Sequence, residues 1–226
     1  MTSASTSSST TNLTKLPRVM HPEVATLAQR PFPPLHHYIH HGQPATTDEL
    51  IVLVSPEALR QIDNHSQQDL TQELGGGLLG TAYRHNGQVF VHITAALPVN
   101  SPDHGPIHFT FTADAWRQLQ QERDAQYPAL EIVGWFHTHP DLGVFYSSDD
   151  VVVHSAAFTL PWHVGLVVDP VRQEACFFGW VNGELKALGG FYETAEFAHD
   201  TAPESAVSWR TITTTVHQPS PPPAHP

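Results

Sequence analysis

GWFHTHPDLGVFYSSDD, residues 134–150, holds the densest polar text in the chain, and the fold is read outward from it. An apolar strand runs directly into two histidines separated by one residue. On an extended backbone, positions i and i+2 point to the same side, so His137 and His139 present two imidazoles to one point. Pro140 then stops the strand, since it has no N–H to give to a ladder. A loop follows and ends at Ser147-Ser148-Asp149-Asp150, where Ser147 or Ser148 can cap the next helix. Ser147 and Asp150 stand three apart and share a face in its first turn. Asp150 is placed to give a third ligand. Catalytic zinc takes three protein ligands, drawn from His and carboxylate, and keeps a fourth position for water.

Such a site needs a base. Zinc lowers the pKa of its water to about 7, and a nearby carboxylate can take the proton and later hand it to a leaving amine. Glu131 lies on the His strand, six residues before His137 and about 20 Å away if fully extended, which is too far. Glu73, in QELGGGLLG, opens a separate glycine-rich strand whose glycines at 75–77 let another backbone or a substrate approach closely. Its position alone makes it a plausible candidate and no more.

The flanking text supplies the other elements. LIVLV, residues 50–54, is a short buried strand by its β-branched content, and Ser55-Pro56 starts a helix through EALRQIDNH. Asn86-Gly87 between two strand-like runs signals a hairpin, as does Asn182-Gly183 before ELKAL. Residues 113–124 read as a helix capped by Thr112, and SSDDVVVHSAAF as a further capped helix. WHVGLVVD and ACFFGWV are strands. Hairpins mixed with helices, without regular βαβ repeats, predict an α/β or α+β sheet with helices packed on it.

Residues 1–45 are Ser/Thr-rich and then Pro/His-rich, and 198–226 drift into a Pro-rich tail; both read as largely disordered around one domain at 46–197. The histidines of LHHYIHH (His36, His37, His40, His41) read as a solvated surface segment with no carboxylate to close a metal site. The N-terminus lacks the basic start and apolar core of a secretory signal, and no run is long enough to span a membrane, so the expected location is cytoplasmic. The single cysteine, Cys176, lies in an apolar strand and reads as core; it excludes a Cys-rich zinc cluster. The net charge of −12 argues against nucleic-acid binding, which needs clustered Lys and Arg. His154, four residues after Asp150, reads as a partly exposed helical histidine, and His163 as structural. Trp135 and Phe136 read as core. The sequence does not place His104 and His108 relative to the site.

Glu73, His137-Thr138-His139-Pro140, Ser147 and Asp150 resemble the JAMM motif of the MPN+ (JAB) metalloproteases: Glu, then His-x-His, seven residues, Ser, two residues, Asp. The seven are residues 140–146, and ELGGGLLG resembles the family's Glu-x-x-Gly-x-Leu-x-Gly strand. The resemblance spans about residues 48–192. It implies a JAMM/MPN (cytidine-deaminase-like) α/β fold, a mixed sheet flanked by helices, with one catalytic zinc. His137, His139 and Asp150 would be its ligands. Glu73 would deprotonate the water, and Ser147 would stabilise the oxyanion. The implied activity is that of an isopeptidase or peptidase on the tail of a ubiquitin-like or sulfur-carrier protein. The alternatives are a catalytically silent MPN-type scaffold and a zinc amidohydrolase of small peptides. The segment AAFTLP is short and leaves no room for the long insertions that read ubiquitin-chain linkage. The sequence gives no oligomeric state.

Overall fold

The computed structural model describes residues 22–31, 38–46, 49–99, 111–194, 203–212 and 214–217. Its strands are β1 (Tyr38–Gly42), β2 (Ile51–Val54), β3 (Gly75–His85), β4 (Gln88–Val99), β5 (Glu131–Thr138), β6 (Val164–Asp169), β7 (Glu174–Val181), β8 (Glu184–Ala187), β9 (Gly190–Thr194) and β10 (Arg210–Thr211). The helices are α1 (Pro22–Thr26), α2 (Pro56–Ser66), α3 (Ala113–Gln126) and α4 (Ser148–Ala157). The strands form one mixed sheet in the order β1-β9-β2-β4-β3-β5-β6-β7-β10, with β8 also on β7.

Local signals set most of these elements. Ser55 Oγ accepts from Ala58 N (3.1 Å) and Pro56 opens α2, while Thr112 Oγ1 accepts from Ala115 N (3.1 Å) at the start of α3. The β3–β4 hairpin turns on Asn86 (φ 48) and Gly87 (φ 83), and β7–β8 on the same residue pair, as the left-handed turn requires. Gly76 permits close packing of β3 on β4, since a Cβ there would lie 2.1 Å from Leu97 O. The glycine run thus admits a neighbouring backbone.

Both faces of the sheet are buried, and alternate residues divide between them. Leu78, Phe136, Leu166 and Val168 meet Leu59 and Ile62 of α2 on one side. Trp135, Val167, Cys176 and Phe178 join Val151 of α4 on the other, where Leu79 and Leu97 also receive Leu119 of α3. This is a mixed α/β domain with a curled sheet flanked by helices. Trp135, Phe136 and Cys176 are core residues, as expected. Among the described residues, no helix is long and apolar enough to cross a membrane.

The expected boundaries need correction at both ends. β1 lies before residue 46, yet it pairs antiparallel with β9 along its whole length. His41, from the histidine cluster, meets a carboxylate after all: its Nε2 is 3.0 Å from Glu193 Oε2, and its ring stacks on Phe191. His40 is exposed, and His36 and His37 lie outside the described residues. At the other end, β10 pairs with β7, Val207 and Trp209 enter the main core, and Trp209 Nε1 donates to Asp63 on α2 (3.0 Å). Two apolar residues in polar text are too few to make a periodic signal, but a single Trp buries a large area. Trp209→Ala is expected to cost about 3–5 kcal/mol in chemical denaturation. An unchanged midpoint would return the segment to the status of a loose tail.

Candidate metal centre

The centre forms where β5 ends. Trp135 and His137 alternate on the face that carries α4, and their rings stack at 4.6 Å and 10°. His139 follows on the same side, and the two Nε2 atoms lie 3.0 Å apart. Both imidazoles are buried, His137 fully. His139 Nδ1 faces Gly143 O at 3.1 Å. A carbonyl only accepts, so Nδ1 carries the proton and Nε2 turns a lone pair toward His137.

Asp150 arrives from the first turn of α4. Ser147 is the N-cap, and the two form a reciprocal capping box. Ser147 Oγ accepts from Asp150 N (3.2 Å), while Ser147 N and Ser147 Oγ both donate to Asp150 Oδ2 (2.7 Å each). The box leaves Asp150 Oδ1 3.1 Å from His137 Nε2, and Oδ2 3.9 Å from His139 Nε2.

Glu73 comes from the adjacent strand. Antiparallel pairing sets Gly75 opposite His137. Beyond that pair, Leu74 N donates to Thr138 Oγ1 and Thr138 N donates to Leu74 O, both at 2.8 Å. Thr138, the residue between the two histidines, thereby holds the Glu73 backbone beside them. Glu73 Oε1 lies 3.6 Å from His139 Nε2, and the carboxylate is buried. Glu131 sits at the far end of β5, away from the centre.

Electrostatics point the same way. Burial, and then the neighbouring His137, pull His139 down to about 4, so it is neutral near pH 7. Burial would also lower His137, but the charge and hydrogen bond of Asp150, with Glu73 behind, outweigh it and raise it. Burial would raise Asp150; His137 and the bonds from His137 and Ser147 outweigh it and hold the carboxyl well below its ordinary range. The pocket therefore favours one positive charge amid two imidazole nitrogens and two carboxylates. Ligands about 2.0–2.1 Å from a tetrahedral zinc stand roughly 3.3 Å from one another. The 3.0 and 3.1 Å separations from His137 Nε2 approach that spacing. Glu73, His137 and His139 also offer ligand atoms within 4.8 Å of one another, so either carboxylate could complete the set. Asp150 lies 3.1 Å from His137 Nε2, while Glu73 is the nearer of the two to His139 Nε2, 3.6 Å against 3.9 Å.

Behind the ligands lies a group expected to be partly exposed. His154 is fully buried. Trp135 Nε1 donates to its Nδ1 (3.3 Å), the Tyr146 hydroxyl is 3.1 Å from the same atom, and burial pulls its pKa down to about 3. It shares the inward face of α4 with Asp150 because the two are one turn apart. His163 is structural, as expected: its Nδ1 lies 3.3 Å from Leu160 N, and burial pulls it down to about 4. His104 and His108 lie outside the described residues. The C-terminal segment also reaches the site. Tyr146 N donates to Thr215 O (3.1 Å), His217 N donates to Tyr146 O (2.9 Å), and the His217 ring packs on Phe145, which packs on His139. Asp169, fully buried at the end of the apolar run WHVGLVVDP, stands beside this loop, and the Asp-Pro that closes the run is its signal in the sequence.

Fold and centre together define a mixed α/β domain with a buried His–His–Glu cluster able to hold one metal ion. Residues 49–158 match the family described as JAB1/Mov34/MPN/PAD-1 ubiquitin protease. An "NAD(+) hydrolase TcpA" of Theionarchaea archaeon (strain DG-70-1) is 30% identical over 120 residues, which are 53% of this chain and 34% of that protein. The chain thus matches about a third of the length of this curated relative. The solution structure of protein DSY2949 from Desulfitobacterium hafniense is 22% identical, with a TM-score of 0.49, covering 66% of this chain and 97% of that one.

Proposed function

We propose that the chain is a zinc-dependent hydrolase that cuts an amide bond at the C-terminal tail of a ubiquitin-like or sulfur-carrier protein. The observation that carries this reading is that His137 and His139 Nε2 lie 3.0 Å apart with two buried carboxylates beside them, Asp150 Oδ1 3.1 Å from His137 Nε2 and Glu73 Oε1 3.6 Å from His139 Nε2. His137, His139 and Asp150 would hold the metal. Zinc bound there supplies Lewis acidity and a water of pKa about 7. Glu73, whose Oε1 lies 3.6 Å from His139 Nε2, would take a proton from that water and return it to the leaving amine. Burial keeps bulk water from competing for these bonds.

Ser147 is the third actor. Its hydroxyl donates to Asp150 Oδ2, so helping a developing oxyanion requires that one hydrogen to turn toward the substrate. Ser147→Ala is expected to slow turnover about 100- to 1,000-fold, and to cost about 1 kcal/mol through the lost cap. Unchanged turnover with the same loss of stability makes Ser147 a cap and nothing more.

The test is cleavage of ubiquitin-like and sulfur-carrier tails extended by an amide-linked reporter, beside small peptide amides. Tail cleavage by the zinc-loaded chain, absent after chelation, supports the reading. Cleavage of small amides alone points to an amidohydrolase, and tail binding without cleavage at full zinc occupancy to a scaffold. The 30% identity to an NAD(+) hydrolase favours a second reading, so NAD+ belongs in the same panel. NAD+ consumption without tail cleavage would replace the amide reading.

A further inference from the structure

Asp169 ends β6 with its carboxylate fully buried. Its Oδ1 accepts from Val171 N and Arg172 N, both 3.0 Å, within its own turn. A carboxylate that only shaped that turn would need no more. Asp169 also reaches across to the loop after β5, where Oδ1 accepts from Asp141 N (3.1 Å) and Oδ2 from Gly143 N (2.8 Å). Four backbone N–H groups from two loops thus end on one side chain.

The second loop is the one that holds His139. Gly143 has φ +79, and its carbonyl turns back to His139 Nδ1 at 3.1 Å. Arg172 closes the outside of the same joint, with Nε 3.0 Å from Asp141 Oδ1 and Nη2 2.6 Å from Asp141 O. We propose that Asp169 is a positioning residue: by fixing Gly143, it holds the His139 proton on Nδ1 and keeps the Nε2 lone pair free for a metal. The inference rests on the zinc reading of the centre, but the tautomer it concerns exists with or without metal. A histidine ligand is oriented by what its other nitrogen donates to, and the loss of such partners typically costs 10- to 100-fold in metal affinity.

Asn at 169 keeps the size but not the two acceptor oxygens. With its oxygen serving one set of N–H groups, its NH2 opposes the other. Full-length Asp169→Asn is therefore expected to bind zinc about 10- to 100-fold more weakly. ¹⁵N NMR of its zinc-free form should show His139 no longer fixed with the proton on Nδ1. Wild-type affinity in Asp169→Asn overturns the proposal. If that variant does not fold, the wild-type chain decides: His139 must carry its proton on Nδ1 both with and without zinc, and a proton on Nε2 in the zinc-free chain overturns the proposal. A wild-type chain that binds no zinc, yet keeps the Nδ1 proton, contradicts the zinc reading and leaves the Asp169–Gly143–His139 linkage standing.

Discussion

His139→Ala is expected to yield a folded chain that retains no zinc through purification and has no measurable hydrolase activity. His139 is one of the two imidazoles whose Nε2 atoms meet at 3.0 Å, and its neutral state and fixed Nδ1 proton prepare it as a ligand. A site of three protein ligands reduced to two loses more than the roughly 10- to 100-fold that follows removal of an outer partner. Its ring also packs on Phe145, so a modest fall in melting temperature should accompany the loss. Metal analysis of the purified variant beside wild type checks this. Full zinc occupancy in the variant would remove His139 from the ligand set.

Glu73→Gln is expected to keep zinc and lose turnover by about 100- to 10,000-fold, the range typical of a general acid–base group. The amide has nearly the shape of the carboxylate, and the Leu74–Thr138 bonds that position residue 73 are made by the backbone and by Thr138. What disappears is the ability to accept a proton. Glu73, His137 and His139 also lie close enough to bind a metal together, which gives the variant a second use. If Glu73→Gln sheds zinc while Asp150→Asn retains it, the two carboxylates exchange roles.

The parts of the structure legible in the sequence were those set by local chemistry. Ser55-Pro56, Thr112 and the two Asn-Gly pairs fix their neighbours' backbone within a few residues, and the elements they start or join stand where expected. The same holds for His137 and His139, since the period of two in a strand is a local property. Glu73 is different. It stands 64 residues before His137, and only the pairing of β3 with β5 brings it to the centre. No spacing rule gives that; the resemblance to a known motif supplied it. His154 is buried rather than partly exposed because Trp135 and Tyr146 close over it, contacts made across the fold. The ends differ from expectation for a related reason. β1 is held by β9, and Trp209 by the core over α2, so both depend on partners far away in the chain. Composition reports neither contact.

The most direct measurement is the zinc stoichiometry of the full chain after metal removal and reloading, read for wild type and for His137→Ala. One tightly held zinc per chain is expected in wild type and none in the variant. No tightly held zinc in wild type, or equal zinc in both, would contradict the zinc reading.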